Sequence, residues 1–531
     1  MNKPQNETGL PPPALIGCGE TGILPDPQAI GFKAHNLARM ARIGLPVPAA
    51  FVLGTAWCMR PEALEPAVWM PALAALEHTT GLRFGDPRHP LLLSVRSGAP
   101  VSMPGMMETL LNIGLGDATL PGLVRLTGNP RLAWDAYRRL VAGYGEIVLG
   151  LPPEAFEADL AVIAGERSDR DLDFSELRAL TRRHLETVER LAGEPFPQDP
   201  PVQLERAIRA VFGSWSADKA RAYRHMHRLD DRMGTAVTVQ RMVFGNAGGA
   251  SGAGVGFTRH PSTGEASPWV DFLFNAQGED VVSGRRNAQG HEALAELSPR
   301  VWSELSEAML QLEQAFGDMQ DFEFTVEEGH LYMLQTRNGK RTPQAAARIA
   351  LDLHDEGLLT RAEALERTAE LDEIALAETR IVSHDGLASE PLAMAVSACS
   401  GVAVGELVLD EELARSRHAA GASVVLVRQD AETRDLSALE LAAGLLTRNG
   451  ARTSHAAVVA RQLGKVCLVG CESLQIDERR RRVRIAGHDL AEGDVLTLDG
   501  HSGAVYAGAV RTLREAPADL LRRLEALRAA V

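Results

Sequence analysis

The 531-residue chain is short of cysteine, with five, at Cys18, Cys58, Cys399, Cys467 and Cys471. So small and odd a number does not build a disulfide framework and fits a reducing compartment. Cys467 and Cys471 are spaced C-x3-C without a second ligand pair, which reads as buried strand thiols rather than a metal site. Long apolar runs are also missing. No stretch of about eighteen apolar residues occurs, which argues against a membrane span. The N-terminus, MNKPQNETGLPPPALIG, lacks the apolar core of a secretory signal. Positive charge is in deficit: the formal net charge is −15, which argues against a general nucleic-acid binder. These absences together point to a soluble, cytoplasmic protein that partners neither membrane nor nucleic acid. What remains is 45% hydrophobic, enough for several domains with proper cores.

The most informative stretch is residues 447–470, TRNGARTSHAAVVARQLGKVCLVG. Gly450 breaks the chain. Thr453 and Ser454 are helix N-cap types, and Ala456, Ala457, Val458, Val459 and Ala460 read as the first turns of a buried helix. Lys465 to Gly470 reads as a short strand. His455 therefore stands at a helix N-terminus, where unpaired N–H groups and a partial positive charge stabilise an attached anion. The same field disfavours imidazolium and keeps the ring neutral and nucleophilic. Such a histidine suits a phosphoryl carrier; the same residues would equally serve a histidine that only packs at a helix start.

A second informative stretch is residues 318–342, DMQDFEFTVEEGHLYMLQTRNGKRT. Two strands flanking a three-residue loop, Glu327, Glu328 and Gly329, would place Val326 opposite His330 and Asp321 opposite Gln335. In that register Asp321, Glu323, Gln335 and Arg337 share one face, and Phe322, Phe324, Tyr332 and Leu334 share the core face. Two carboxylates beside an arginine make a platform for Mg²⁺ and phosphate; a surface charge cluster is the plainer alternative. Elsewhere, LLLSV with Arg96 at its end reads as a strand. It is followed by a Gly/Pro turn, SMPGMM, and a helix from about Met106, a layout that cradles phosphates. The run GNAGGASGAGVGF is too rich in glycine for a stable helix and reads as a flexible lid, an anion loop or a solvent loop. Leu37, Met40 and Ala41 have helical spacing stopped by Gly44, and Lys33 at its start is by itself an ordinary exposed lysine.

Several of these motifs resemble the pyruvate phosphate dikinase family, with the related phosphoenolpyruvate (PEP) synthases. TSHAAVVAR followed by GK and a strand is similar to that family's phosphohistidine segment. GFKAHNL with GLPVPAAF, SVRSGAPVSMPGMMETLLNIGL, GFTRHPSTGE with QGEDVVSG, and DMQDFEFTVEEGHLYMLQTRNGKRT are similar to its nucleotide-binding segments. The resemblance implies that His455 carries the phosphoryl group, and that Thr453 matches a regulatory phosphorylation site of some members. It implies that Lys33, Arg96, Gln335, Arg337 and Glu279 serve ATP, and that Asp321 and Glu323 bind Mg²⁺. This chain departs from the family pattern at Phe32 and Ala34, which replace glycines, and at Ala253 and His260. It departs again at Ala451 and Arg452, where the family has GGMTSHAA.

The fold class that follows is a multidomain α/β and α+β protein. After a loose lead-in (residues 1–26) comes an ATP-grasp domain (27–340) with a helical subdomain at about 117–233. A helical linker (341–385), a swivelling phosphohistidine α/β domain (386–512) and a C-terminal helix (513–531) complete it. The family's (β/α)8 barrel, which binds PEP or pyruvate, needs about 250 further residues. The expectation is therefore a half-enzyme: ATP, with phosphate as co-substrate, phosphorylates His455 and yields AMP. A separate PEP- or pyruvate-binding protein or domain then accepts the group. The alternatives are a non-catalytic ATP-binding regulatory module and a phosphotransferase to an unrelated small molecule.

Overall fold

Alternating apolar strands and capped helices dominate the computed structural model. It describes residues 9–20, 22–101, 103, 107–165, 167–282, 289–382, 390–430, 435–450, 452 and 455–529. The chain divides into two compact units: Met1–Gly248 with Tyr332–Gln335, and Gly249–Leu331 with Thr336–Val531. The segment expected as one domain, 27–340, thus contributes to both.

The first unit holds an antiparallel sheet of β1 (Ala14–Ile16), β2 (Ala50–Leu53), β3 (Leu93–Gly98), β4 (Thr109–Ile113) and β5 (Ala236–Arg241), in the order β1-β2-β5-β3-β4. Two expectations are corrected here. The lead-in is not loose throughout, because its apolar triplet Ala14, Leu15 and Ile16 pairs with β2 and Ile16 is buried. The segment after the SMPGMM turn is strand β4 rather than helix. Asn112 at φ 61° and Gly114 at φ 101° do not fit a helix interior, and Thr109 to Ile113 instead pair with β3.

Helix α1 (Phe32–Arg42) is entered through Gly31, which sits at φ 79°. A Cβ there would lie 2.0 Å from the Gly98 carbonyl oxygen, so only glycine fits. The helical subdomain includes Pro130–Ile147 and Phe174–Ala192, as their 3.6-residue spacing predicts. The latter begins with a capping box of Asp173 and Glu176 and ends at left-handed Gly193. Trp57, Trp69, Tyr137, Tyr144 and Phe51 fill the core of this unit.

The second unit opens with another antiparallel sheet: β6 (Gly252–Phe257), β7 (Trp269–Phe274), β8 (Gln289–Gly290), β9 (Gln320–Glu327) and β10 (His330–Asn338), in the order β8-β7-β6-β9-β10. Much of the glycine-rich run is therefore a buried strand, not a lid or loop. Glycine recurs every second residue because that face lies under phenyl rings. A Cβ at Gly252 would fall 2.1 Å from Cζ of Phe272, one at Gly254 2.4 Å from Cζ of Phe324, and one at Gly256 2.8 Å from Cζ of Phe322.

The β9–β10 turn also differs from expectation. Glu327 is still strand, and the turn is Glu328 and Gly329, both left-handed at φ 49° and 77°. A two-residue turn with both residues left-handed matches the twist of the strands it joins. The tighter turn shifts the pattern of β10: Leu331 and Met333 are the fully buried residues, and Tyr332 and Leu334 are half-buried.

Helices Pro343–Asp355 and Arg361–Arg367 lie in the expected helical linker, but its end is a strand, Glu378–Ile381, which pairs with Thr512–Glu515 where the C-terminal helix was expected to begin. Helix Ala518–Ala529 buries Leu520, Leu524 and Leu527 in the cluster that includes Ala347, Leu351 and Ala364. Between them lies an eight-stranded sheet of β11 (Ala393–Met394), β12 (Val396–Cys399), β13 (Val402–Val408), β14 (Val424–Arg428), β15 (Gly444–Thr447), β16 (Val466–Val469), β17 (Val495–Asp499) and β18 (Ala504–Ala507). Its order is β11-β18-β17-β13-β14-β15-β16-β12, parallel from β13 to β16 and antiparallel at both ends. Helix α2 (His455–Gln462) is the crossover from β15 to β16. Cys467, in β16, and Cys471, two residues beyond that strand, are buried free thiols. No helix among the described residues is long and apolar enough to cross a membrane.

Candidate active site

In the first unit, α1, which bears Lys33, docks on the end of β3, which bears Arg96. The Phe32 N–H donates to the Ala99 carbonyl at 2.9 Å, and a Cβ built on Gly98 would lie 3.9 Å from Cβ of Lys33. Lys33 is exposed. Nε of Arg96 is buried without a hydrogen-bond partner among the described residues. A buried orphan donor of a guanidinium calls for an acceptor such as a phosphate oxygen. Gln335, on β10, also belongs to this unit.

In the second unit, register decides which side chains share a face. Asp321 of β9 pairs with Phe257 of β6, which pairs with Trp269 of β7. Two residues on, Glu323 pairs with Val255, which pairs with Asp271. Directly opposed residues of antiparallel strands point to the same side, as do residues two apart in one strand. Asp321, Glu323, Val255, Phe257, Trp269 and Asp271 therefore line one face, and the phenyl rings over the glycines line the other.

Two further elements lie on the carboxylate face. Val281, from the short helix Gly278–Val282 that includes Glu279, packs with Ala253, Val255 and Leu273. The segment around His455 arrives from the opposite end of the unit's sequence. Nε of Arg452 meets Oδ1 of Asp271 at 2.9 Å, with the guanidinium 5.1 Å from the Trp269 ring centroid. Arg461, in α2, lies 5.1 Å from the Phe257 ring and 5.9 Å from that of Trp269. Its Nη2 donates to the carbonyls of Ala398 at 2.7 Å and Arg452 at 3.3 Å. The helix that starts at His455 is thus held over the face that bears Asp321 and Glu323. Thr453 and Ala451 lie outside the described residues, as does the cap expected at Ser454.

Asp321 is 7% exposed and receives a 2.8 Å ion pair from Nε of Arg337. Burial pushes its carboxyl above the usual range, against the pull of Arg337, and the neighbouring Glu323 adds to the rise. Burial works against the charge on Arg337, yet Asp321 and Glu323 hold it protonated. Asp321 and Glu323 are two carboxylates two residues apart on one strand face. Hard oxygen donors so placed fit a divalent cation such as Mg²⁺. The pairing of Arg337 with Asp321 persists although the hairpin turn is tighter than expected.

Asp271, Trp269 and Arg461 were not singled out from the sequence. The one available signal was Asp271 itself, a carboxylate in the otherwise apolar strand WVDFLF.

Residues 60–293 and 289–357 match the family described as pyruvate phosphate dikinase, AMP/ATP-binding domain, and residues 421–503 match the PEP-utilising enzyme, mobile domain. The chain belongs to the pyruvate phosphate dikinase family. It is 42% identical over 493 residues to pyruvate, phosphate dikinase 2 of Zea mays, covering 91% of this chain and 56% of that protein. It is 41% identical over 495 residues to the Clostridium symbiosum dikinase, with the same coverage. With the Rhizobium meliloti (strain 1021) dikinase it shares 42% over 525 residues, 94% of this chain and 58% of the relative. The chain thus spans a little over half the length of these dikinases. The AMP/ATP-binding match includes Arg96, Glu279, Asp321, Glu323, Gln335 and Arg337, and the mobile-domain match includes His455. Lys33 precedes the first matched segment.

Proposed function

We propose that this protein is an ATP-dependent phosphotransferase of the dikinase type, in which His455 takes a phosphoryl group from ATP. An ATP-grasp domain and a swivelling phosphohistidine domain carry the reaction. The observation that supports this most directly is the face shared by Asp321, Glu323, Asp271 and Trp269, reached by Arg452 just before α2 and by Arg461 in its last turn. Lys33, Arg96, Gln335 and Arg337 bind the nucleotide. Asp321 and Glu323 hold Mg²⁺, which when bound neutralises developing charge on the phosphates. Glu279 assists at the metal or the nucleotide.

The balance of the reaction follows from its products. Release of AMP requires the P–O bond between the α- and β-phosphates to break. The lone pair of a neutral His455 imidazole nitrogen forms the new N–P bond, and AMP leaves with the electron pair of the broken one. Phosphate then takes the terminal phosphoryl group as pyrophosphate, leaving phosphohistidine. A helix N-terminus keeps imidazole neutral before transfer and stabilises the anion afterwards. The group that discharges His455 is held on another, PEP- or pyruvate-binding, domain or protein: pyruvate takes the phosphoryl group and becomes PEP, leaving neutral imidazole. Thr453, next to the carrier, is a site for regulatory phosphorylation.

The test is incubation with Mg²⁺ and ATP labelled at the β-phosphate, with and without phosphate. The reading expects an acid-labile label on His455, stoichiometric AMP, and loss of both in His455→Ala. ATP binding with neither label nor AMP would sink it.

A further inference from the structure

We propose that Arg452 is a positioning residue. It fastens the turn before His455 to the carboxylate-bearing face of the second unit's first sheet, and so governs the rate of phosphoryl transfer rather than the affinity for ATP. This rests on the reading of His455 as the phosphoryl acceptor.

The starting point is Asp271. It sits in β7 between Val270 and Phe272, is 1% exposed, and shares its face with Trp269, Val255 and Phe257. A carboxylate that deep in an apolar strand needs cationic or hydrogen-bonding partners to remain charged. One comes from Arg452, 181 residues further along the chain. Its Nε bonds to Oδ1 of Asp271 at 2.9 Å, Nη2 reaches the Val270 carbonyl at 3.3 Å, and the guanidinium lies over the Trp269 ring, 5.1 Å from its centroid. A fork that donates along its edge while its charge sits over an aromatic face is a task for arginine.

The backbone of the same residue is held from the other side, because the Arg452 carbonyl accepts from Nη2 of Arg461. Arg461 belongs to the helix that starts at His455, and lies over Phe257 and Trp269. The turn is thus pinned at its side chain and at its backbone, three residues before His455. Asp271 stands in one row with Glu323, so the anchor and the metal-binding carboxylate share a rigid cross-strand frame. A fixed distance from anchor to carboxylate is what a near-attack geometry requires. Neither Arg452 nor Asp271 is among the side chains assigned to the nucleotide, so loss of their contact is expected to change the transfer step rather than ATP binding.

The experiment follows single-turnover labelling from β-labelled ATP and measures the ATP Kd by equilibrium dialysis. The variants are Arg452→Met, Asp271→Asn, the two combined, and the charge exchange Arg452→Asp with Asp271→Arg. Each single variant is expected to slow labelling by about tenfold or more, the size of a buried charge-pair coupling. Kd should stay within about twofold, as for a contact that acts only on the transfer step. The combined variant should be no slower than the worse single one, and the charge exchange should regain part of the rate. Labelling within about twofold of wild type, or a rise in Kd that accounts for the whole loss, would overturn the proposal. If the wild type takes no label, the reading of His455 fails on its own. The anchor is then judged by amide exchange: faster exchange of Trp269–Phe274 and His455–Gln462 in Arg452→Met sustains it, and unchanged exchange overturns it.

Discussion

Replacing Gly254 by alanine adds one methyl group to the molecule, and the structure says where that group would go. The new Cβ would lie 2.4 Å from both Cε1 and Cζ of Phe324 and 2.9 Å from the carbonyl oxygen of Asp271. Carbon atoms in contact prefer about 3.5–4.0 Å, so the ring would have to retreat by about 1 Å or more. It has nowhere to go. Phe324 is 1% exposed, is stacked on Phe272 at 5.7 Å between centroids, and has Phe322 at 6.0 Å. Strand β6 cannot yield either, because it is paired along its length with β7 and β9. Overpacking of this kind costs about 1–3 kcal/mol, and the backbone contact puts Gly254→Ala toward the upper end. For a unit of this size that is a fall in Tm of roughly 2–5 °C, measurable by scanning calorimetry. The decisive comparison is with Phe324→Leu. Shortening the ring vacates the space the methyl needs, so the double variant should be less destabilised than the sum of the two singles. Simple additivity, or Gly254→Ala within about 0.5 kcal/mol of wild type, would show that the glycines of β6 are not there to admit the rings.

Two other perturbations are equally specific. Burial pushes the His260 imidazole down to about 3, with Arg461 and Arg452 adding to the effect, and its Nδ1 accepts from the Ser262 and Thr263 backbone N–H groups. A folded-state value below the unfolded one means stability is present above about pH 6.5 and is lost as pH falls toward 3, with about 2 kcal/mol gone by pH 5. Asparagine can accept the same two bonds without titrating, so His260→Asn should flatten this part of the urea-stability profile between pH 7.5 and 5; an unchanged slope would refute the assignment. Arg259 is 3% exposed in its side chain and paired with Glu313 at 3.0 Å and Glu356 at 2.7 Å. Glu313→Ala leaves much of that charge buried without its partner and should cost about 3 kcal/mol in calorimetry, whereas a loss below about 1 kcal/mol would mean Glu356 alone suffices.

Local chemistry was readable in the sequence wherever it is decided by neighbours along the chain. Apolar residues at 3.6-residue spacing are helices Pro130–Ile147 and Phe174–Ala192, and the apolar run after His455 is the crossover helix α2. Asp321 and Glu323 could be placed on one strand face because two residues is the strand period. The errors arose where a local pattern has two physical solutions. Glu327, Glu328 and Gly329 allow a three-residue loop, but left-handed Glu328 closes the turn one residue tighter. The run from Gly252 to Gly256 looks like loop by composition and is strand, because the cause of its glycines, the rings of Phe272, Phe324 and Phe322, lies in other strands.

The candidate site extends that lesson. Glu323, Val255 and Asp271 are a row only after three separate stretches have paired in register, and Arg452 joins that row from a turn in the far part of the chain. Such a residue can be suspected beforehand only through its partner: a carboxylate in an apolar strand, as in WVDFLF, requires a cation from elsewhere. Buried charge in a strand is thus a sign of a long-range contact, and here that contact leads to the turn before His455.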